Sequence, residues 1–184
     1  YYHALDLFGN VPFVLDTDAA GTLPKRIVRA DLFKFVESEL KALETELKDP
    51  KTNEYGRADK AAAWTLLARL YLNAKVYSGS ERNNDVITYA NKVIGAGYAL
   101  KKQTIQVPDP DNPGQTKPKD ISYESLFLAD NHLNNPEVIL SVNYDGIKTQ
   151  TFGGSTFLVH APVGGEMNDA DFGINGSWGG IRTT

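Results

Sequence analysis

The run from Gly56 to Gly79, GRADKAAAWTLLARLYLNAKVYSG, constrains the fold more than any other stretch of the chain. It carries helical periodicity on two faces at once. Trp64, Leu67, Ala68, Tyr71 and Leu72 form one stripe, and Ala63, Leu66, Leu70, Ala74 and Tyr77 form a second. A helix with almost no solvent face has to be packed on two sides, as in the interior of a helical array. Asp59 is the expected N-cap, ahead of Lys60. Trp64, Leu67, Ala68 and Tyr71 also fall at the offsets of the first helix of a tetratricopeptide repeat, which points to a scaffold of stacked helix pairs.

The flanking segments extend this reading. Tyr1–Phe8 reads as the last turns of a helix stopped by Gly9 and Asn10, and Val11-Pro12 as extended chain. After a polar loop at Asp16–Pro24, Asp31–Lys48 is an amphipathic helix that buries Leu32, Val36, Leu40, Leu43 and Leu47. Its outer face carries Glu37–Lys41 and Glu44–Lys48 at i,i+4 spacing, a face expected simply to be solvated. A second repeat helix is expected beyond the Ser78–Asn84 loop, with Val86, Tyr89, Ala90, Val93 and Ile94 on its buried side. Ala90, Ile94 and Gly97 keep the spacing of the second tetratricopeptide helix, but about ten residues late for a roughly 34-residue repeat. The repeat is therefore degenerate.

The pattern changes at residue 104. Thr104–Asp120 contains Pro108, Pro110, Pro113, Gly114 and Pro118 with no apolar period, and is expected to be an exposed loop. A short helix at Tyr123–Ala129 and a strand at Glu137–Asn143 follow. From Asp145 to Thr184 the chain is glycine-rich and expected to be irregular. The expected fold is one mainly α domain. Residues 1–103 supply tetratricopeptide-like helix pairs, and 104–184 a loop-rich portion with short strands.

Charge and composition exclude several function classes. A net charge of −4 argues against a general nucleic-acid binder, which needs clustered Lys and Arg. No run approaches the roughly 18 apolar residues of a membrane span. There is no cysteine, so thiol chemistry and disulfides are out. His3, His132 and His160 have no metal-ligand spacing, and neither a nucleophile elbow nor a zinc-protease motif occurs. Asp109-Pro-Asp111-Asn112 lacks the spacing and closing Glu of an EF-hand loop. Asp145, Glu166, Asp169 and Asp171 could in principle supply a glycosidase pair. No metal, no cofactor and no catalysis are expected. The start at Tyr1 without Met suggests a piece of a longer protein.

Four blocks in order resemble one family: YYHALDLFGNVPFV at Tyr1–Val14, GRADKAAAWTLLARLYLNAKVY at Gly56–Tyr77, the LF, DN, PE, VI order ending at Ile139, and FGINGSWGGIRTT at Phe172–Thr184. They are similar to the SusD/RagB family of outer-membrane nutrient-binding lipoproteins. The resemblance implies a SusD-like α/α superhelix and non-catalytic binding of oligosaccharide or polysaccharide at the bacterial cell surface. It implies a SusC-like TonB-dependent transporter as partner and a lipid anchor outside this chain as the membrane attachment. The alternative is a tetratricopeptide-type protein-interaction scaffold or a RagB-like peptide-uptake component.

A glycan binder needs exposed aromatic platforms flanked by hydrogen-bonding side chains. Trp178, between Ser177 and Gly179-Gly180, is the first candidate, although it could instead plug an interface. Phe152, ahead of Gly153-Gly154, resembles the family's second aromatic position, commonly Tyr. It could equally anchor its loop by burial. Asn175 and Arg182 are the polar candidates, with a turn-stabilising role for Asn175 and an ion pair for Arg182 as the alternatives. Trp64 belongs to the core.

Overall fold

A computed structural model describes residues 1–128, 131–133, 135–143, 148 and 152–180. The chain packs as two units, Tyr1–Ser141 and Val142–Thr184, so the change of sequence character at residue 104 falls inside the first. Among the described residues the first unit has five α-helices: α1 (Tyr2–Leu7), α2 (Arg29–Glu46), α3 (Lys60–Leu72), α4 (Ala74–Ser78) and α5 (Asn83–Gly95). Two antiparallel ribbons accompany them. β1 (Val11–Phe13) pairs with β2 (Lys25–Ile27) in the register Val11↔Ile27, and β3 (Thr104–Pro108) with β4 (Thr116–Asp120) in the register Gln106↔Pro118. The second unit contains α6 (Ser155–His160) and a 3-10 turn at Asp169–Phe172. The class is mainly α, as the periodicity implies.

The doubly striped helix does pack on two sides, against α2 and against α5. Asp59 caps it by accepting from the Ala61 and Ala62 amides at 2.8 and 3.2 Å. Leu67, Leu70 and Tyr71 are buried in a core shared with Leu5, Leu32, Phe33, Val36 and Leu40. The helix is shorter than expected. Asn73 (φ −101°, ψ 11°) leaves the helical region, and the chain restarts as α4. Leu72 lies at that break and is 65% exposed, so the first stripe ends one residue early. On α5, Tyr89 is buried as expected, whereas Ile94 is exposed.

The outer face of α2 is where the expectation fails. Glu37 pairs with Lys41 at 2.9 Å, but its carboxylate also accepts from the Tyr71 hydroxyl at 2.7 Å and from Arg82 at 3.2 Å. Glu44 has no bond to Lys48. It accepts from Trp64 Nε1 at 3.0 Å, Tyr89 Oη at 2.7 Å and Lys92 Nζ at 2.7 Å. Trp64 thus lies at the edge of the core, its ring packed inward and its N–H on a carboxylate. The two glutamates stand two turns apart on one face and join α2 to both α3 and α5. A solvated face would leave these donors to water. Here the Tyr71 and Tyr89 rings stack at 5.6 Å, and the Glu37 and Glu44 side chains keep only 15% and 22% of their exposure.

This network predicts a stability profile. Burial pushes the Glu37 and Glu44 carboxyls up, but their cationic and phenolic donors outweigh it and leave both below the ordinary 4.5. The folded state then binds fewer of these protons than the unfolded chain. The stability they supply is present above about pH 4.5 and drains as pH falls through the lower folded values. Burial and the glutamate acceptors hold the Tyr71 and Tyr89 phenols above the ordinary 10.0, so their contribution is intact below pH 10 and is lost above it. The urea midpoint of the wild type should fall on both flanks, and Glu44→Gln should flatten the acid flank.

Two further segments depart from expectation. Thr104–Asp120 is the β3–β4 ribbon rather than a loop. Both of its strands are edges, where proline is tolerated, and the turn is fixed by Asp109, which accepts from Asn112 Nδ2 at 2.7 Å. Glu137–Asn143 forms no strand. Its alternating Val138, Leu140 and Val142 are exposed, and the segment is held instead by Glu137, which accepts from the Lys101 amide at 2.8 Å. The short helix expected at Tyr123–Ala129 is a 3-10 turn over Glu124–Phe127. In the FGNVPFV block, Gly9 adopts φ +73°, and a Cβ there would lie 2.4 Å from Arg29 Nε. Asn10 Oδ1 accepts from the Arg29 amide at 2.8 Å and so caps α2 from a distant turn. That block is structural.

Candidate functional site

The second unit builds its surface on the six-residue helix α6, in a segment expected to be irregular. Phe157 and His160 are three residues apart and share one face of it. The chain then turns at Ala161, which is buried with Val163, and the WGG segment returns alongside. Three backbone bonds strap it down. The Trp178 amide donates to the His160 carbonyl at 3.1 Å, Gly179 to Val163 at 2.8 Å and Gly180 to Ala161 at 2.8 Å.

Glycines make this approach possible. A Cβ on Gly164 would lie 2.8 Å from the Gly179 Cα, a backbone atom that cannot swing aside, and Gly179 has φ +60°. Gly164→Ala should therefore lift the WGG segment from the α6 turn. Loss of the near-ultraviolet circular dichroism of Trp178, measured in a Trp64→Phe background, would register it.

The strap holds the Trp178 ring among three others. It stacks on His160 at 5.1 Å with 29° between planes, and meets Phe152 at 6.2 Å and Phe157 at 6.3 Å. These rings are not a closed core. Trp178 is 41% exposed, Phe157 42% and Phe152 85%. His160 Nδ1 lies 2.9 Å from the Thr156 carbonyl and Nε2 3.2 Å from Asn175 Oδ1. Asn175 is exposed beside this ring pair. The chemistry available is apolar stacking with amide hydrogen bonding at its edge.

Of the sequence-derived candidates, Trp178, Phe152 and Asn175 therefore gather at one place, and Arg182 lies outside the described residues. Phe157 is not among the sequence-derived candidates, and His160 is weighed there only as a metal ligand. Their i,i+3 spacing is the signal, but a single helical turn is too short to show a period. Asp145, considered for a carboxylate pair, also lies outside the described residues. Asp171 accepts from Asn168 Nδ2 at 3.2 Å within the 3-10 turn. Among the described residues no three His, Asp or Glu side chains cluster as metal ligands, and no helix is long and apolar enough to cross a membrane.

No family model matches the chain. It is 38% identical over 162 residues to the starch-binding protein SusD of Bacteroides thetaiotaomicron, an alignment covering 86% of this chain. The chain spans 26% of the length of that curated relative. Sequence blocks spread from the first helix to the WGG strap and this extended identity agree: the chain belongs to the SusD-like family.

Proposed function

We infer that the protein binds starch-like or related oligosaccharides and polysaccharides without acting on them. The observation that carries this reading is the exposed Trp178–Phe152–Phe157 cluster with Asn175 at its edge. A pyranose presents flat C–H faces to aromatic rings and hydroxyls to amide groups, so stacking with edge hydrogen bonds suits it. The starch-binding name of the relative supports the same ligand class. Trp178 is the stacking platform, Phe152 and Phe157 extend it, and Asn175 with Arg182 orients the ligand. The helices of the first unit serve as a tetratricopeptide-like frame. In the whole protein, capture takes place at the outer-membrane surface, on a lipid-anchored molecule that hands the glycan to a SusC-like TonB-dependent transporter.

Isothermal titration with maltoheptaose, soluble starch and a panel of unrelated polysaccharides tests the reading. Saturable binding of at least one glycan without release of reducing ends is the expected result. Binding of peptides and of no glycan would reject it.

A further inference from the structure

We propose that Asn175 is a site of spontaneous covalent modification: the Gly176 amide nitrogen closes on the Asn175 side chain, and the product carries a carboxylate at the edge of the Trp178 platform. The modification stands on local chemistry, and only its effect on a ligand rests on the glycan reading above.

The sequence singles out this pair, because no other asparagine of the chain is followed by glycine. Ring closure requires the next residue to bring its nitrogen onto the carboxamide carbon. A glycine, with no Cβ, has the backbone freedom and the uncrowded nitrogen for it. Asn112 and Asn135 precede prolines, whose nitrogen has no proton to give up. Asn10 precedes Val11 of β1, and its carboxamide is held by the Arg29 amide at 2.8 Å. The structure leaves the 175–176 link free. Ile174 N–H is anchored on the Asp169 carbonyl at 3.2 Å and Trp178 N–H on the His160 carbonyl at 3.1 Å. Between these anchors no acceptor holds the Gly176 amide among the described residues. Asn175 is exposed, and a Cβ on Gly176 would meet no atom within 4 Å, so solvent reaches the reacting nitrogen. The side chain itself is restrained by one long, exposed contact, 3.2 Å from His160 Nε2.

Water is the only co-reactant. Solvent base removes the Gly176 N–H proton, the nitrogen bonds to Asn175 Cγ, and the Cγ–Nδ2 bond breaks. Ammonia leaves with a solvent proton, and a succinimide ring remains. Water then adds at one of its two carbonyls. Addition at Cγ breaks the new N–Cγ bond and yields aspartate. Addition at the main-chain carbonyl carbon breaks the original peptide bond and yields isoaspartate, whose backbone runs through the side chain and is one atom longer. Nothing is oxidised or reduced. Either product replaces an amide, which donates and accepts, by a carboxylate, which only accepts. Isoaspartate also lengthens the chain between the two anchors, beside the amide that straps the Trp178 ring.

The test holds the protein in mildly alkaline buffer at body temperature and follows it by peptide mass mapping, with isoaspartate counted by enzymatic methyl transfer to its carboxylate. The peptide carrying Asn175-Gly176 should convert first among the asparagine peptides, and Gly176→Ala should slow it at least about tenfold. That variant suits the fold, since Gly176 has no positive φ and its Cβ would enter open space. Asn175 staying an amide while other asparagines convert, or converting equally fast in Gly176→Ala, overturns the inference. A second measurement needs no variant: the rate in the folded protein should stay within about tenfold of that in the same chain unfolded in guanidinium chloride. A larger slowing by the fold overturns the freedom assigned to the 175–176 link. In the ligand arm, maltoheptaose affinity should fall about threefold or more as Asn175 is consumed, and hold steady in Gly176→Ala over the same period. Unchanged affinity in the converted protein overturns the effect on the ligand. If the fresh protein binds no oligosaccharide, the glycan reading fails, and the mass and methyl-transfer results decide the modification by themselves.

Discussion

Trp178→Ala is expected to weaken glycan binding by about 10- to 30-fold, the range of a central aromatic anchor. The indole offers the largest ring of the cluster and is touched by each of the other three, so its removal also leaves Phe152, Phe157 and His160 without a common neighbour. Trp178→Phe should recover part of the loss, because a smaller ring keeps a stacking face. Phe152→Ala should cost only about threefold. That ring is 85% exposed and meets the cluster at one edge. Titration calorimetry measures these differences, with circular dichroism checking that each variant remains folded. Equal affinity in a folded Trp178→Ala protein would remove the site from the second unit's aromatic cluster.

The largest stability effect is expected at Leu67→Ala, a loss of about 3 kcal/mol measured by urea unfolding. Leu67 has no exposed surface and sits in α3, the helix packed on two sides. Neighbours on α2 and α5 belong to separate helices tied by the Glu37 and Glu44 bonds, so they cannot readily collapse into the space. Leu72→Ala, five residues on, should change stability by less than about 0.5 kcal/mol because that side chain, at the end of α3, is in solvent. Comparable losses at the two positions would mean that Leu72 is buried as deeply as Leu67.

That pair of leucines shows where sequence reasoning stops. Both belong to the same stripe when the sequence is read as one continuous helix, but five residues set them about 140° apart around it, and only the packing of α2 and α5 on α3 shows which direction is covered. The β3–β4 ribbon was hidden for a related reason. Five Pro and Gly residues overwhelm the short alternation of Ile105 and Val107, while the pairing that makes a strand lies in a partner segment. At the candidate site, Trp178, Phe152 and Asn175 stand out because each sits beside glycine or within a recognisable block. Phe157 and His160 do not, since a six-residue helix completes fewer than two turns.

By itself the sequence determined the helical class, the two-sided burial of α3, the Asp59 cap and the family. All of these are written in residue spacing or in contiguous blocks, because the helix repeat is a local property of the chain. The tertiary structure alone decided that Glu37 and Glu44 are half-buried acceptors rather than a solvated face, and that His160 stacks on Trp178. Their tertiary partners come from 15 to 48 positions away. A carboxylate or an imidazole looks the same in sequence whether water or a buried donor satisfies it. Which one does so depends on how the helices and the glycine strap bring distant segments together.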